Sequence, residues 1–330
     1  MNNEKNFFNK ILLLHNFHYK KSKEYRIISD LLFKKKIKKL EEIPYIPTNL
    51  FKKINLKSIS SKKIFKVLNS SGTSANTPSK IFLDKDNAKK QTEVLNSIVK
   101  KVLGNKRLPM LIIDEKKQIN DQKQFDAKTA AVVGFSMFGT DHHYLIKDNK
   151  IDHETLDNFL KKYSSDTFFI FGFTSYIYKY LIQDLNKFQN FSNGVLIHGG
   201  GWKKMERLKI SNDNFKEKLK QKIKLEKIFN YYGLIEQTGS IFFECENCGC
   251  FSSSDFSDIL VRDNNFKVLK ENQPGYLQLF SILPKSYPGH SILTEDLAEL
   301  VKNDCKQCGI KKFKVHGRIA KSEIRGCSDI

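Results

Sequence analysis

Between Met110 and Gly233 the sequence alternates short apolar runs with segments of helical period. Met110-Leu111-Ile112-Ile113, Thr167 to Phe171, Gly194-Val195-Leu196-Ile197-His198 and Glu226 to Tyr232 have the length of strands. Ala127 to Val133, the Leu156-Phe159-Leu160-Tyr163 set, the stretch through Leu185 and Asn214 to Lys224 read as the helices between them. Strands that alternate with helices predict an α/β fold with a mixed, largely parallel sheet. In such sheets ligands gather where strands end. Gly139, Gly172, Gly199 to Gly201 and Gly233 fall at those ends.

The flanks differ. Residues 1 to about 40 read as helical, with Phe7, Phe8, Ile11, Leu12 and His15, then Tyr25, Ile28, Leu31 and Leu32, at helical spacing. Pro44 and Pro47 end this region, because the residue before a proline disfavours helix. Asp86 reads as the cap of a helix carrying Val94, Leu95, Ile98, Val99, Val102 and Leu103, and Gly104 stops it. From about residue 240 the pattern turns to short strands. Ile259-Leu260-Val261 and Phe266 to Leu269 read as a hairpin around Arg262 to Asn265, and Tyr276 to Leu283 as a further strand. The expected organisation is a helical region 1–60, an α/β core 61–240, a β-rich subdomain 241–315 with Cys pairs, and a tail 316–330.

One loop stands out before the alternation begins. Asn69-Ser70-Ser71-Gly72-Thr73-Ser74-Ala75-Asn76-Thr77-Pro78-Ser79-Lys80 joins two strand-like segments, Lys63 to Leu68 and Lys80 to Leu83. Consecutive N–H groups around a glycine, with hydroxyl donors beside them, can wrap an anion, and Lys80 offers a point charge. The loop lacks the G-x-x-x-x-G-K-[ST] pattern of nucleoside triphosphatases and opens no helix. A plain polar hairpin is the alternative.

Charge and cysteines narrow the classes. The net charge is +21, yet six of the basic residues are Arg, the rest are Lys, and they are scattered along the chain. That pattern does not build a nucleic-acid stripe, though it favours acidic partners. No apolar run is long enough to span a bilayer and the N-terminus lacks a signal-peptide pattern, so a cytoplasmic protein is expected. All six Cys lie in the last third. Cys245-Glu246-Asn247-Cys248 and Cys305-Lys306-Gln307-Cys308 are two C-x-x-C pairs, each followed by Gly, and four thiolates in such knuckles suit tetrahedral structural Zn²⁺. Cys250 could replace one ligand; reduced, unliganded thiols are the alternative.

Four motifs in order resemble those of the adenylate-forming superfamily. They are Ser70-Ser71-Gly72-Thr73-Ser74, Asn230-Tyr231-Tyr232-Gly233-Leu234-Ile235-Glu236, Leu293-Thr294-Glu295-Asp296 and Gly317-Arg318. Within it, the sequence resembles the acyl-protein synthetases of the LuxE type. The likeness rests on Leu50-Phe51-Lys52, Gly172-Phe173-Thr174, Gly200-Gly201-Trp202-Lys203-Lys204, Gly233 to Ser240, Gly289 to Leu297 and Arg325-Gly326-Cys327-Ser328-Asp329. Two departures are visible: Glu295 replaces a Gly, and Ser74-Ala75-Asn76-Thr77 replaces a Gly-containing stretch.

The resemblance implies the large domain of an adenylate-forming enzyme, ending at the hinge motif without the lid domain. It implies a ligase that uses ATP and Mg²⁺ to convert a carboxylic acid, by family habit a fatty acid, to an acyl-adenylate, then to a cysteine thioester. Ser70, Ser71, Gly72, Thr73, Ser74 and Lys80 would hold phosphates. Adenine would rest on His198, Gly199, Gly200 and Gly201, beside Tyr232 and Gly233. Glu236 would hold Mg²⁺, Asp296 would accept from the ribose hydroxyls, and Arg318 would add a donor fork. Phe135, Phe138 and Phe173, expected at strand ends, would line an acyl slot. Cys327 would accept the acyl group for a reductase or acyltransferase partner. The alternatives are an acyl-CoA ligase of the phenylacetate type and a non-catalytic zinc-stabilised binding module.

Overall fold

The computed structural model describes residues 2–33, 36–70, 77–116, 124–302, 304–306, 308 and 311–318. Its centre is a seven-stranded sheet in the order Phe242–Phe243, Lys227–Tyr232, Gly194–Gly199, Phe168–Phe173, Leu108–Glu115, Gly139–Lys147, Lys150–Ile151. The five inner strands are mutually parallel; the two short edge strands are antiparallel. Gly194–Gly199, Phe168–Phe173 and Leu108–Glu115 read as near-continuous apolar runs because both faces are covered, whereas Gly139–Lys147 exposes Asp141 and His142. Leu111, Ile113, Phe168, Ile170 and Leu196 face the helices His153–Tyr163, Ile177–Asp184 and Asn212–Ile223. Met110, Ile112, Phe169, Phe171 and Ile197 face Lys85–Leu103 and Ala127–Ser136. Alternate side chains of one strand thus feed two separate cores.

A second, six-stranded sheet runs Phe251–Ser252, Lys312–Arg318, Ser291–Val301, Gly275–Ser281, Ser257–Arg262, with Ile46–Pro47 parallel to Ser291–Val301. The N-terminal helices Asn2–Lys21 and Lys23–Leu32 pack on it, Ile11 against Leu260 and Phe280, Tyr25 in the cluster of Leu277 and Tyr287. A third, small sheet joins Lys80–Leu83, Lys66–Asn69 and Gln124–Asp126.

Two local expectations are corrected. The helix Lys85–Leu103 is capped by Asp84, whose carboxylate accepts from the Asn87 N–H; Asp86 lies inside its first turn. Gly104, at φ +76°, does end it. Phe266 to Leu269 does not form the second strand of a hairpin. Val268 makes a single bridge to Arg262, and Ser257–Arg262 pairs along its length with Gly275–Ser281. Buried Arg262 explains the detour: its guanidinium donates to the carbonyls of Phe266 and Glu41 and to the Gln278 side chain, so the turn folds around it.

No helix among the described residues is long and apolar enough to cross a membrane.

Candidate functional site

Three sheets converge at the carboxyl ends of Gly194–Gly199 and Lys227–Tyr232. Tyr231 pairs in register with Gly199, so a side chain at Gly199 would strike the Tyr231 ring at 2.5 Å. Tyr232 donates its hydroxyl to Asp296 at 2.5 Å. Asp296 lies on Ser291–Val301, directly across the ladder from Arg318, and the two side chains approach to 3.5 Å. The Thr294 hydroxyl accepts from the Asp296 N–H and donates to the Leu277 carbonyl, which fixes the backbone here. Burial pushes the Asp296 carboxyl up, against the pull of Arg318 and Tyr232. Burial also raises the Tyr232 phenol, with the Asp296 charge adding to it.

Glu236 follows on the turn Ile235–Gln237 and is 6% exposed. Burial raises its carboxyl, opposed by its own N–H, the neighbouring Ser79 hydroxyl and the Arg318 charge. Ser79 closes the base of the Ser-rich loop. Its N–H donates to the Ser70 side chain at 2.7 Å, and its carbonyl accepts from the Ser70 N–H at 3.0 Å. The hairpin register therefore delivers the loop to Glu236. Lys80 starts the return strand opposite Asn69, with its side chain exposed. Ser71, Gly72, Thr73 and Ser74 lie outside the described residues, as does Cys327. The Glu236 carbonyl accepts from the buried Tyr287 hydroxyl at 2.9 Å. Gly289 is the residue that lets this pair approach: a Cβ there would sit 2.7 Å from the Glu236 carbonyl oxygen and closer still to the Tyr287 ring.

His198 is fully enclosed. Its Nδ1 meets the Thr174 hydroxyl at 3.0 Å, Thr174 also donates to the Gly199 carbonyl, and burial holds the imidazole down to about 3. It is therefore neutral and braces the glycine turn Gly199 to Gly201. Phe135 stacks on Phe171 at 4.5 Å and lies 5.1 Å from Tyr231. Phe138 and Phe173 join the same buried cluster. Only Phe173 is at a strand end; Phe135 is on the helix Ala127–Ser136 and Phe138 just beyond it. His142 and His143 diverge, one donating to the Ser136 carbonyl, the other facing Asp141 at 3.2 Å.

A buried ion pair flanks the same sheet edge and was not foreseen. Lys128 meets Asp114 at 2.8 Å and the Tyr176 hydroxyl at 3.2 Å, with the Tyr176 ring below it. Burial alone would lower the ammonium, but Asp114 overrides it and the group stays charged. Asp126, which caps the helix carrying Lys128, pairs with Asn69, so this helix start abuts the base of the loop. The sequence signal was a carboxylate ending an apolar strand; its lysine partner carried none.

The cysteine pairs do meet. Sγ atoms of Cys245, Cys248, Cys305 and Cys308 all lie within 4.8 Å of one another, with Cys245 to Cys305 at 3.8 Å and Cys248 to Cys308 at 3.3 Å. Four thiolates about 2.3 Å from Zn²⁺ would stand about 3.8 Å apart, so the donor set fits that ion. Cys250 stands outside this set of four, and its thiol donates to the Cys248 carbonyl at 3.4 Å.

The sequence matches the family profile described as acyl-protein synthetase, LuxE, over residues 1–330. The chain belongs to the LuxE acyl-protein synthetase family. Solved structures similar to this family member are adenylate-forming enzymes. An open conformation of 2-hydroxyisobutyryl-CoA ligase with 2-HIB-AMP and CoA aligns with a TM-score of 0.70 at 13% identity, over 96% of this chain and 75% of that one. The luciferase-like enzyme of the nonluminescent mealworm Zophobas morio aligns at 0.53 and 16% identity, over 81% and 60%. ATP-bound MatB from Rhodopseudomonas palustris aligns at 0.53 and 12% identity, over 79% and 49%. At these identities the likeness is one of fold. No curated protein matches the sequence significantly. The LuxE family member thus has the adenylate-forming fold expected of it.

Proposed function

We propose that this protein is an ATP-dependent, AMP-forming ligase that activates a carboxylic acid and passes the acyl group to a thiol. The observation that carries this reading is the meeting of Tyr232, Asp296 and Arg318 beside Glu236, which faces the base of the Ser-rich loop. In the first step a carboxylate oxygen attacks the α-phosphorus of ATP, the P–O bond to pyrophosphate breaks, and acyl-adenylate forms. In the second, a thiolate attacks the acyl carbon, AMP leaves as its phosphate anion, and the thiol proton goes to solvent.

Each residue supplies one element of that chemistry. Asp296 presents carboxylate lone pairs to the ribose hydroxyls, and its Tyr232 bond fixes their direction. Arg318 sets a permanent charge beside them. The backbone of His198 to Gly201 receives adenine, which the absence of glycine side chains lets approach closely. Ser70, Ser71, Gly72, Thr73, Ser74 and Lys80 bind phosphate oxygens with N–H, hydroxyl and ammonium donors. Glu236 would hold Mg²⁺, a hard cation suited to a carboxylate, which when bound neutralises phosphate charge. Phe135, Phe138 and Phe173 supply an apolar wall for an acyl chain. Cys327 is assigned as acyl acceptor, a fatty acid as the substrate class, and a reductase or acyltransferase as the partner that receives the acyl group. Structural Zn²⁺ is assigned to Cys245, Cys248, Cys305 and Cys308.

Carboxylate-dependent ATP–pyrophosphate exchange across a panel of acids tests the first step. Exchange with at least one acid is expected, and none with any acid overturns the reading. Cys327→Ala should keep exchange but lose the hydroxylamine-labile acyl-protein adduct. An adduct that survives refutes Cys327, and turnover that needs CoA moves the acceptor to that thiol.

A further inference from the structure

The cysteine cluster and the Tyr232–Asp296–Arg318 set are joined by a continuous packed path. The first knuckle connects Phe242–Phe243 to Phe251–Ser252, and the second connects Ser291–Val301 to Lys312–Arg318. Phe251 pairs with Phe313 across the ladder, so the strand leaving one knuckle is zipped to the strand leaving the other. Phe242, Phe251 and Phe313 then close around the Tyr232 ring, at 6.3, 5.9 and 6.1 Å between centroids. Tyr232 is the residue that donates to Asp296. Lys312–Arg318 carries the same connection along its length. Lys312, at one end, is 1% exposed and bonded to Asp304. Arg318, at the other end and about 20 Å away for six extended steps, faces Asp296.

We propose that metal held by Cys245, Cys248, Cys305 and Cys308 is the positioning element of the nucleotide site, and that its occupancy sets ATP affinity. This rests on the nucleotide and zinc readings given above. With the ion bound, both knuckles are pinned, Phe251 and Phe313 hold Tyr232, and the register that puts Arg318 opposite Asp296 is fixed. Without it the thiols have no common partner, and that register loosens. Tyr232 and Arg318 touch the nucleotide; the cysteines, Phe251 and Phe313 act through them.

The test measures ATP binding by calorimetry with no acid present, alongside zinc content. Protein as purified should hold one zinc per chain. Complete removal by chelator should weaken ATP binding at least tenfold, and added Zn²⁺ should restore it. Phe313→Leu separates positioning from mere folding, because it leaves all four ligands in place. It should retain zinc and a normal far-ultraviolet circular dichroism spectrum yet bind ATP several-fold more weakly. Equal ATP affinity with and without metal, or full affinity in Phe313→Leu, overturns the coupling alone. Protein that takes up no zinc, or a zinc-loaded protein that binds no ATP, overturns the underlying reading and this inference with it.

Discussion

The central sheet and the second sheet border the same site but hold their polar groups in opposite ways. In the central sheet the buried polar residues Asp114 and His198 stand at the carboxyl ends of strands, and the strands beneath them are apolar on both faces. In the second sheet buried polar side chains run through the strands: Arg262, Gln278, Ser281, Ser291, Thr294, Asp296 and Lys312. Several form a chain, with Arg262 donating to Gln278 at 2.5 Å and Gln278 to Ser291 at 3.0 Å. Apolar contact is non-directional and tolerates small slips in register; hydrogen bonds between specific partners do not. The second sheet needs the directional kind because a one-residue slip would turn Arg318 away from Asp296.

The sharpest way to break this contrast is to substitute each sheet where the other should not respond. Phe168→Ala, in the core face remote from Asp296, should cost about 3–5 kcal/mol of unfolding free energy. Nucleotide affinity of the folded protein should stay unchanged; a large affinity loss would mean the two sheets are not separable. Asp296→Asn should act the other way. Exchange should fall by roughly 10²–10³-fold, as when a preorganised polar group is removed. Denaturant midpoints should barely move or should rise, since burial disfavours the Asp296 charge in the folded state.

Acid sharpens the comparison further. His15, His18 and His198 are held down to about 4, 3 and 3, burial being the chief cause, and buried His290 lies well below its ordinary value. These folded-state values are depressed, so the neutral rings favour the fold above about pH 6.5. As pH falls below that, the unfolded chain takes up protons that the folded one refuses. Stability should then decline by up to about 1.4 kcal/mol per pH unit for each group. Glu236 and Asp296, with raised carboxyls, oppose this only near their own titration. Chemical denaturation at pH 7, 6 and 5 checks the slope, and a flat profile contradicts it. Three of the four histidines line the N-terminal helices and the second sheet, so that half should loosen first under hydrogen exchange. The smallest effect is expected from Thr294→Val, which removes two bonds of about 1 kcal/mol each. Its lowered stability should come with a weaker ATP affinity, which Phe168→Ala does not share.

Legibility in the sequence followed the same division. Four of the five inner strands of the central sheet could be read to within two residues at each end because burial writes an apolar run; Gly139–Lys147, which opens on Thr140, Asp141, His142 and His143, could not. The motif residues Tyr232, Glu236, Asp296 and Arg318 could be named, and the structure brings them together. What could not be read depends on pairing between distant segments. Ile46–Pro47 joins a strand at residue 291 with no local signal for it. Phe266 to Leu269 looked like a strand, but Arg262 claims the Phe266 carbonyl and turns the chain aside. Ser79 reaches Glu236 only through the hairpin register, and Gly289 matters only because Tyr287 folds against the Glu236 carbonyl. Lys128 finds Asp114 across two elements that periodicity treats as unrelated.

Arg318 ends its strand at Asp296, and the chain reaches Cys327 nine residues later. Nine residues extend at most about 30–32 Å, which tethers that thiol to the place where the adenylate would form. For a flexible linker of that length the effective concentration is on the order of millimolar, independent of how dilute the protein is. If Cys327 is the acceptor proposed above, acyl transfer to it is a unimolecular step whose rate does not depend on protein concentration.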